Sequence, residues 1–196
     1  MSKGESTKQA IVAQAAKVFN VYGYVGTSMD ALTAATHLTK GGIYNHFGSK
    51  EALALAALDY SVNLARERFK EIAAGKRDTR ERLLAVVTLF RSIIDEPMFE
   101  GGCPILNTAV EADDTNPALR ARAQKALDDW RDYIMQTLVR GAELGTVRPG
   151  VDPDAVATII LATLEGGVML SKLYGDSRHI AHVAEHLAHY IDSLVM

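Results

Sequence analysis

The sequence predicts an all-α fold with a small N-terminal three-helix head and a larger helical body. Three observations lead there. Apolar residues recur at helical spacing along most of the 196 residues, with few β-branched alternations. Only five prolines are present, and two of them follow a capping residue, in Asn116-Pro117 and Asp152-Pro153, the arrangement that starts helices. A hydrophobic fraction of 48% is ample for a core and excludes a disordered chain.

The first helix is expected from about Ser6 to Tyr22. Ile11, Ala15, Val18, Phe19 and Tyr22 form one apolar stripe, and Gly23 is a stop signal. Thr27 or Ser28 can cap a second helix, since a side-chain oxygen there accepts a free backbone N–H; Thr27 with Asp30 fits a loose capping box. Met29, Leu32 and Ala35 continue it. His37 and Leu38 interrupt the pattern, and Thr39 can cap a third helix, Lys40 to His46. The expected core of this head is Ile11, Phe19, Leu32, Leu38, Ile43 and Phe47.

The third helix carries the chemistry. Gly41 and Gly42 each cost about 1 kcal/mol in a helix interior. A helix that must lie close against another surface explains them, because glycine lets a backbone approach. Lys40, Tyr44, Asn45 and His46 add an ammonium, a phenol, an amide and an imidazole, groups suited to phosphates and base edges. Lys40 is the candidate for guanine O6/N7, with a phosphate contact alone as the alternative. Tyr44 is read as a phosphate or sugar contact, or else as a packed ring with a wet hydroxyl. Asn45 and His46 are similar candidates, and His46 has a solvated surface histidine as its plain reading. Lys50, in the first turn of the fourth helix, pairs an ammonium with free backbone N–H groups, which makes an anion site.

Residues 7 to 55 resemble the DNA-binding domain of the TetR/AcrR family of bacterial transcriptional repressors. The resemblance rests on Phe19, Gly23, Thr27-Ser28, Lys40-Gly41, Ile43-Tyr44, His46-Phe47 and Ser49-Lys50-Glu51 before Leu53. Where that family often has Ala-Gly-Val, this chain has Thr36-His37-Leu38; His is among the residues enriched at positive φ. The expected DNA-contacting set is therefore Thr27, Ser28, Thr39, Lys40, Gly41, Tyr44, Asn45, His46 and Lys50. The division implied is a helix-turn-helix domain over residues 1–48 and a ligand-sensing and dimerisation domain over 49–196.

Charge agrees with that division. The whole chain carries −3, but residues 1–50 hold five lysines against two carboxylates, net +3, and residues 51–196 hold 16 basic against 22 acidic residues, net −6. Such asymmetry suits a nucleic-acid-reading head on an acidic body. One cysteine excludes an intrachain disulfide and fits a reducing cytoplasm. The N-terminal MSKGESTKQA has no apolar h-region. The longest apolar stretch, Ala155 to Leu164, is shorter than the ~20 residues of a membrane span, so no membrane partner is expected.

The fourth helix is expected from Ser49 to about Ala74, striped by Leu53, Ala56, Ala57, Tyr60, Leu64 and Phe69, and joins head to body. Gly75-Lys76-Arg77-Asp78 is a linker. Thr79 with Arg82 opens a strongly apolar helix to Asp95, and Pro97 ends it. The irregular stretch that follows contains a short helix from Pro104 to Ala112. Asn116-Pro117 starts a helix to Leu144, stopped by Gly145; Asp152-Pro153 starts one to about Tyr174 that is apolar nearly all round and holds Gly166-Gly167, a pair that permits close crossing. The last helix, Ser177 to Val195, has Ile180, Val183, Ala184, Leu187, Ile191 and Leu194 as its stripe. In a body of about 145 residues these last two helices carry more apolar surface than one subunit needs, which points to a homodimer joined by a four-helix bundle. The family resemblance implies the same.

In the body, an apolar pocket between helices with a few polar groups is the usual small-molecule site. The candidate lining is Phe90, Cys103, Leu106, Asn107, Trp130, Ile134, Glu165 and Met169, with ordinary core as the alternative for each apolar one. The GGCPILN stretch also resembles a subset of the family. His179, His182, His186 and His189 share one side of the last helix; a wet polar face is the plain reading, and a metal site at His182/His186 the sharper one. Cys103 has no basic neighbour in sequence to activate a thiol. No nucleophile–base pairing, phosphate loop or HExxH is present, so neither an enzyme nor a cofactor is expected. The sequence thus reads as a ligand-released repressor on a palindromic DNA operator; an effector-independent architectural or activating DNA binder is the alternative.

Overall fold

The computed structural model describes residues 3–98 and 100–196; Met1, Ser2 and Phe99, which belong to stretches read above, lie outside them. The described residues form nine α-helices and no strand. They are α1 (Lys3–Gly26), α2 (Met29–Thr36), α3 (Lys40–Phe47), α4 (Lys50–Ala73), α5 (Thr79–Asp95), α6 (Pro104–Ala112), α7 (Pro117–Glu143), α8 (Pro153–Tyr174) and α9 (Arg178–Leu194). One antiparallel bridge joins Val147 and Val195.

The boundaries follow from local chemistry. Asn116 Oδ1 accepts from the N–H groups of Ala118 and Leu119, and Asp152 Oδ1 from those of Asp154 and Ala155, so both residues cap the helices that Pro117 and Pro153 start. Asp78 caps α5 through Glu81 N at 2.7 Å. Gly145 (φ 71°) follows α7 and Gly175 (φ 63°) ends α8, both in the left-handed region. The sequence expectation differs at α1. Gly23 breaks the helix (φ 73°, ψ 173°) but a last segment continues to Gly26. Tyr22, expected in the apolar stripe, is 65% exposed in the turn before that break.

By packing the chain forms two compact units. The first takes residues 1–64 and 99–125, and the second residues 65–98 and 126–196, so α4 and α7 each contribute to both. In the first unit α1 packs on α2 and α6, and α2 on α3. Ile11, Val12, Ala15, Ala16, Leu32, Ile43, Leu53 and Ala57 are buried together, with Phe19, Leu38 and Phe47 partly buried against them. Each fully buried Leu or Ile there contributes roughly 1.5–3 kcal/mol by leaving water.

In the second unit α5, α8 and α9 pack on one another. Their shared core includes Leu83, Val86, Phe90, Ile160, Leu164, Ile180, Leu187 and Ile191. Gly167 sets the α8–α9 approach, since a Cβ there would come within 2.9 Å of Ile180 Cδ1 and 3.0 Å of Val183 Cγ2. Phe69 meets Trp130 and Tyr133 edge-on, with ring centroids 5.0 and 4.8 Å apart. By length and composition α8 could cross a bilayer, against the expectation that no stretch would. Val156, Ala157, Ile160, Leu161, Leu164 and Val168 are nonetheless buried inside the unit, as in a core helix.

Candidate nucleic-acid interface

The recognition geometry begins with two caps and a turn. Ser28 lies in extended backbone and its Oγ accepts from Ala31 N at 3.0 Å, so Ser28 is the cap of α2. Thr27 is not. It is 1% exposed, and its Oγ1 donates to Gly23 O at 2.6 Å. The Thr27 side chain belongs to the turn after α1 rather than to the DNA-facing set expected of it. α2 ends on His37, whose left-handed backbone (φ 55°, ψ 29°) makes the tight turn. Thr39 then caps α3, its Oγ1 accepting from Gly42 N at 3.2 Å.

This turn fixes which side of α3 faces out. Ile43 is 1% exposed and Phe47 is partly buried on the head core. Lys40, Gly41, Tyr44 and Asn45 are exposed, and His46 is half-buried beside Phe47, with ring centroids 6.4 Å apart. A Cβ added at Gly41 would meet open space, so nothing inside the chain requires a glycine there.

At the start of α4, Ser49 Oγ accepts from Ala52 N at 3.0 Å. Lys50 lies in the first turn with its Nζ 4.6 Å from the centre of the Tyr24 ring, which orients the ammonium by a cation–π contact that sequence reasoning did not find. The Tyr24 hydroxyl has a raised pKa, first from burial and then from the charges of Glu51 and Tyr44. Lys8 lies over Phe47 in the same manner, at 5.4 Å.

The body candidates separate into two groups. Cys103, Leu106 and Asn107 belong to the first unit. Cys103 is buried at the start of α6, and Leu106 is half-buried. Asn107 borders a cleft with Asn20, Glu111, Ser61 and Leu58 whose volume is about 40 Å³, room for water rather than for an organic molecule. Its amide donates to Gly101 O at 2.8 Å and to Asn20 at 3.0–3.1 Å. In the second unit Phe90 and Trp130 meet with centroids 6.5 Å apart, Ile134 is fully buried one turn beyond Trp130, and Glu165 is half-buried. Met169 does not join them. It is 51% exposed, because the side of α8 that carries it points away from α5 and α9. His182, His186 and His189 are exposed, and His179 stands against the Tyr174 ring at 5.2 Å. Among the described residues no three His, Cys, Asp or Glu side chains are placed to share a metal ion.

With this geometry in view, the chain matches the family of bacterial regulatory proteins, tetR family, over residues 11–57, and the tetracyclin repressor-like C-terminal domain over residues 79–187. The crystal structure of a TetR transcriptional regulator from Chloroflexus aurantiacus is 48% identical, covers 100% of this chain and 98% of its own, and superposes with a TM-score of 0.95. The HTH-type transcriptional repressor DhaR of Mycobacterium sp. (strain GP1) is 27% identical over 171 residues, 85% of this chain and 82% of that protein. A transcriptional regulator from Saccharomonospora viridis, in complex with choline, is 26% identical, covers 98% of this chain and 99% of its own, and has a TM-score of 0.83. The capped helix-turn-helix and the matched body together place the chain in the TetR family of DNA-binding transcriptional regulators.

Proposed function

We propose that the protein is a ligand-released repressor that binds a palindromic operator as a homodimer in the cytoplasm, laying α3 in the major groove. The observation that carries this reading is the outer face of α3, where Lys40, Gly41, Tyr44 and Asn45 are exposed side by side. Gly41, with open space around it, lets the backbone come close to a groove wall. Lys40 and Asn45 then reach base edges; Tyr44, Lys50, Thr39, Ser28 and His46 hold the phosphates.

Dimerisation is supported by a second stripe. On α8 the residues Ala155, Ile159, Ala162, Gly166, Met169 and Leu173 alternate at spacings of four and three, and all but the half-buried Gly166 are exposed. An apolar seam of that period suits a second copy of the same helix. Two-fold symmetry then sets half-sites about 34–36 Å apart, or a multiple of that. The choline complex of the Saccharomonospora relative supports a small-molecule effector for the body. An effector shifts operator occupancy only by its differential affinity for the two states.

The test is fluorescence anisotropy on the DNA flanking the protein's own gene, beside a scrambled duplex and titrated in salt. A preference of ~10³-fold or more, reduced about ten- to a hundredfold in Lys40→Ala, supports the specific head. Equal and steeply salt-dependent binding to both duplexes favours an architectural protein instead. A saturating effector that leaves operator affinity unchanged removes the ligand-release step.

A further inference from the structure

Gly141 on α7 is buried, and a Cβ there would come within 2.5 Å of Thr79 Oγ1 and 2.6 Å of Val147 Cγ2. Its bare backbone lets the start of α5 lie against the end of α7 within the second unit. That approach brings Arg77 and Arg82, from the linker and the first turn of α5, to the same cleft as Arg140 of α7. The cleft has a volume of about 350 Å³, and among the described residues no carboxylate lines it.

Among the described residues none of these three guanidiniums makes an ion pair, in contrast with most arginines of the unit. Arg66 pairs with Asp129, Arg68 with Glu96, Arg80 with Asp192, Arg91 with Asp95, Arg131 with Asp154 and Arg178 with Asp176. Arg148 donates to Val195 O at 3.1 Å. Asp78 and Glu81, which flank these arginines in sequence, are engaged at the helix start: Asp78 caps Glu81 N at 2.7 Å, and Glu81 Oε2 accepts from the Arg77 backbone N–H at 3.4 Å. Arg82 is the most informative of the three. Its Nε is buried with no hydrogen-bond partner among the described residues, and its guanidinium lies over the Tyr133 ring at 5.4 Å. A buried donor without an acceptor costs free energy and calls for an explanation. Stacking on Tyr133 holds its fork in one orientation, the preparation that bidentate recognition of an oxyanion needs.

We infer that Arg77, Arg82 and Arg140 form a binding site for a small phosphate monoester, separate from the pocket expected in the body core. Three guanidiniums lining one cleft can meet the three terminal oxygens and double charge of a phosphate monoester, whereas a single carboxylate offers two oxygens and one charge. The volume is in the range of small-molecule sites, with Tyr133 and Leu144 as apolar walls for the organic part.

The test uses the full chain labelled with ¹⁵N-arginine, titrated with inorganic phosphate, glycerol 3-phosphate and succinate at constant ionic strength. Arginine Nε–H resonances and calorimetry are the readouts. Saturable binding of both phosphates, with the Arg82 Nε–H signal shifting, is the expected result. Arg82→Lys keeps the charge and removes the fork, and should weaken binding about tenfold or more; Arg140→Ala should do the same, and Arg178→Ala should leave it unchanged. If Arg82→Lys fails to fold, the exposed Arg77 and Arg140 decide through their alanine variants. No saturation by either phosphate at millimolar concentration overturns the site, as does equal affinity in Arg140→Ala. Succinate binding as tightly as glycerol 3-phosphate overturns the phosphate assignment.

Discussion

The Glu111 carboxylate accepts a hydrogen bond from the backbone N–H of Tyr24 at 2.6 Å, across 87 residues of sequence. Its other oxygen accepts from Val25 N at 2.8 Å. These two N–H groups follow the break at Gly23, where the helix loses its own acceptors, so a side chain of α6 supplies what α1 lacks. Gly23 serves twice. Its left-handed φ makes the break, and a Cβ there would lie 2.7 Å from Glu111 Oε2. Glu111→Ala should therefore destabilise the fold by about 1 kcal/mol, the net worth of a part-buried hydrogen bond at Tyr24 with a smaller share from the exposed one at Val25. Glu111→Gln keeps one acceptor and should lose less. Urea denaturation of the two variants beside the parent measures both.

The caps give a second prediction. Ser28→Ala and Thr39→Ala each remove the acceptor for one free N–H and should cost about 1 kcal/mol, while glycine at either site should cost only a few tenths. Thr27→Ala acts differently. It removes a buried hydroxyl bonded to Gly23 O, so it should lower the thermal midpoint and leave the salt dependence of DNA binding unchanged.

These two cases show what was legible in the sequence and what was not. Asn116-Pro117 and Asp152-Pro153 announce their helices because capping and proline geometry are local. The turn at His37 was readable for the same reason. The α1–α6 contact was not, since nothing near Tyr24 indicates that an acceptor will arrive from Glu111. Thr27 and Ser28 are neighbours of similar chemistry, and only the fold decides which hydroxyl caps α2 and which is buried. Met169 was placed in a pocket because α8 is apolar nearly all round, a composition that does not say which side faces the core. Arg77, Arg82 and Arg140 are spread over two helices and a linker, and only packing at Gly141 brings them to one cleft.

The two faces of α3 should separate stability from affinity. Ile43→Ala empties a fully buried site and should cost about 2–5 kcal/mol of stability. Asn45→Ala is on the exposed face and should stay within about ±0.5 kcal/mol. On the proposed reading Lys40→Ala loses about 1–3 kcal/mol of operator affinity and relaxes specificity at one base position, whereas Lys50→Ala weakens binding to all sequences and lowers the salt slope by about one. Denaturation and anisotropy on the same preparations distinguish the two classes.

Arg80 and Asp192 tie α5 to α9, with Nε and Oδ1 2.5 Å apart. The hydrogen bond from Arg80 holds the Asp192 carboxyl below the usual aspartate pKa, helped by the charges of Arg80 and His189 and opposed by desolvation. A depressed folded-state pKa means the stabilisation is present above the ordinary aspartate value, about 3.9, and is lost as pH falls through the folded value. Asp192→Asn should therefore lower the thermal midpoint slightly at neutral pH, and the difference from the parent should vanish in the acid limb. The pair is solvent-exposed, so added salt should shrink the effect at every pH.

The outward stripe of α8 carries the last prediction. Met169 is 51% and Leu173 73% exposed, so a charge at either position costs the isolated subunit little. In the proposed dimer the same charge would be buried against its own copy, where two like charges repel without solvent to screen them. Met169→Glu should keep full helicity by circular dichroism yet sediment as a monomer. Gly166→Ala tests the same seam by volume, because a Cβ at Gly166 meets nothing within 4 Å among the described residues; a loss of association without a loss of stability then points to the partner. Operator affinity should fall with dimerisation in both variants, since a monomer reaches one half-site only and loses the gain of joining two heads. A protein that stays dimeric with Met169→Glu would place the interface away from this stripe.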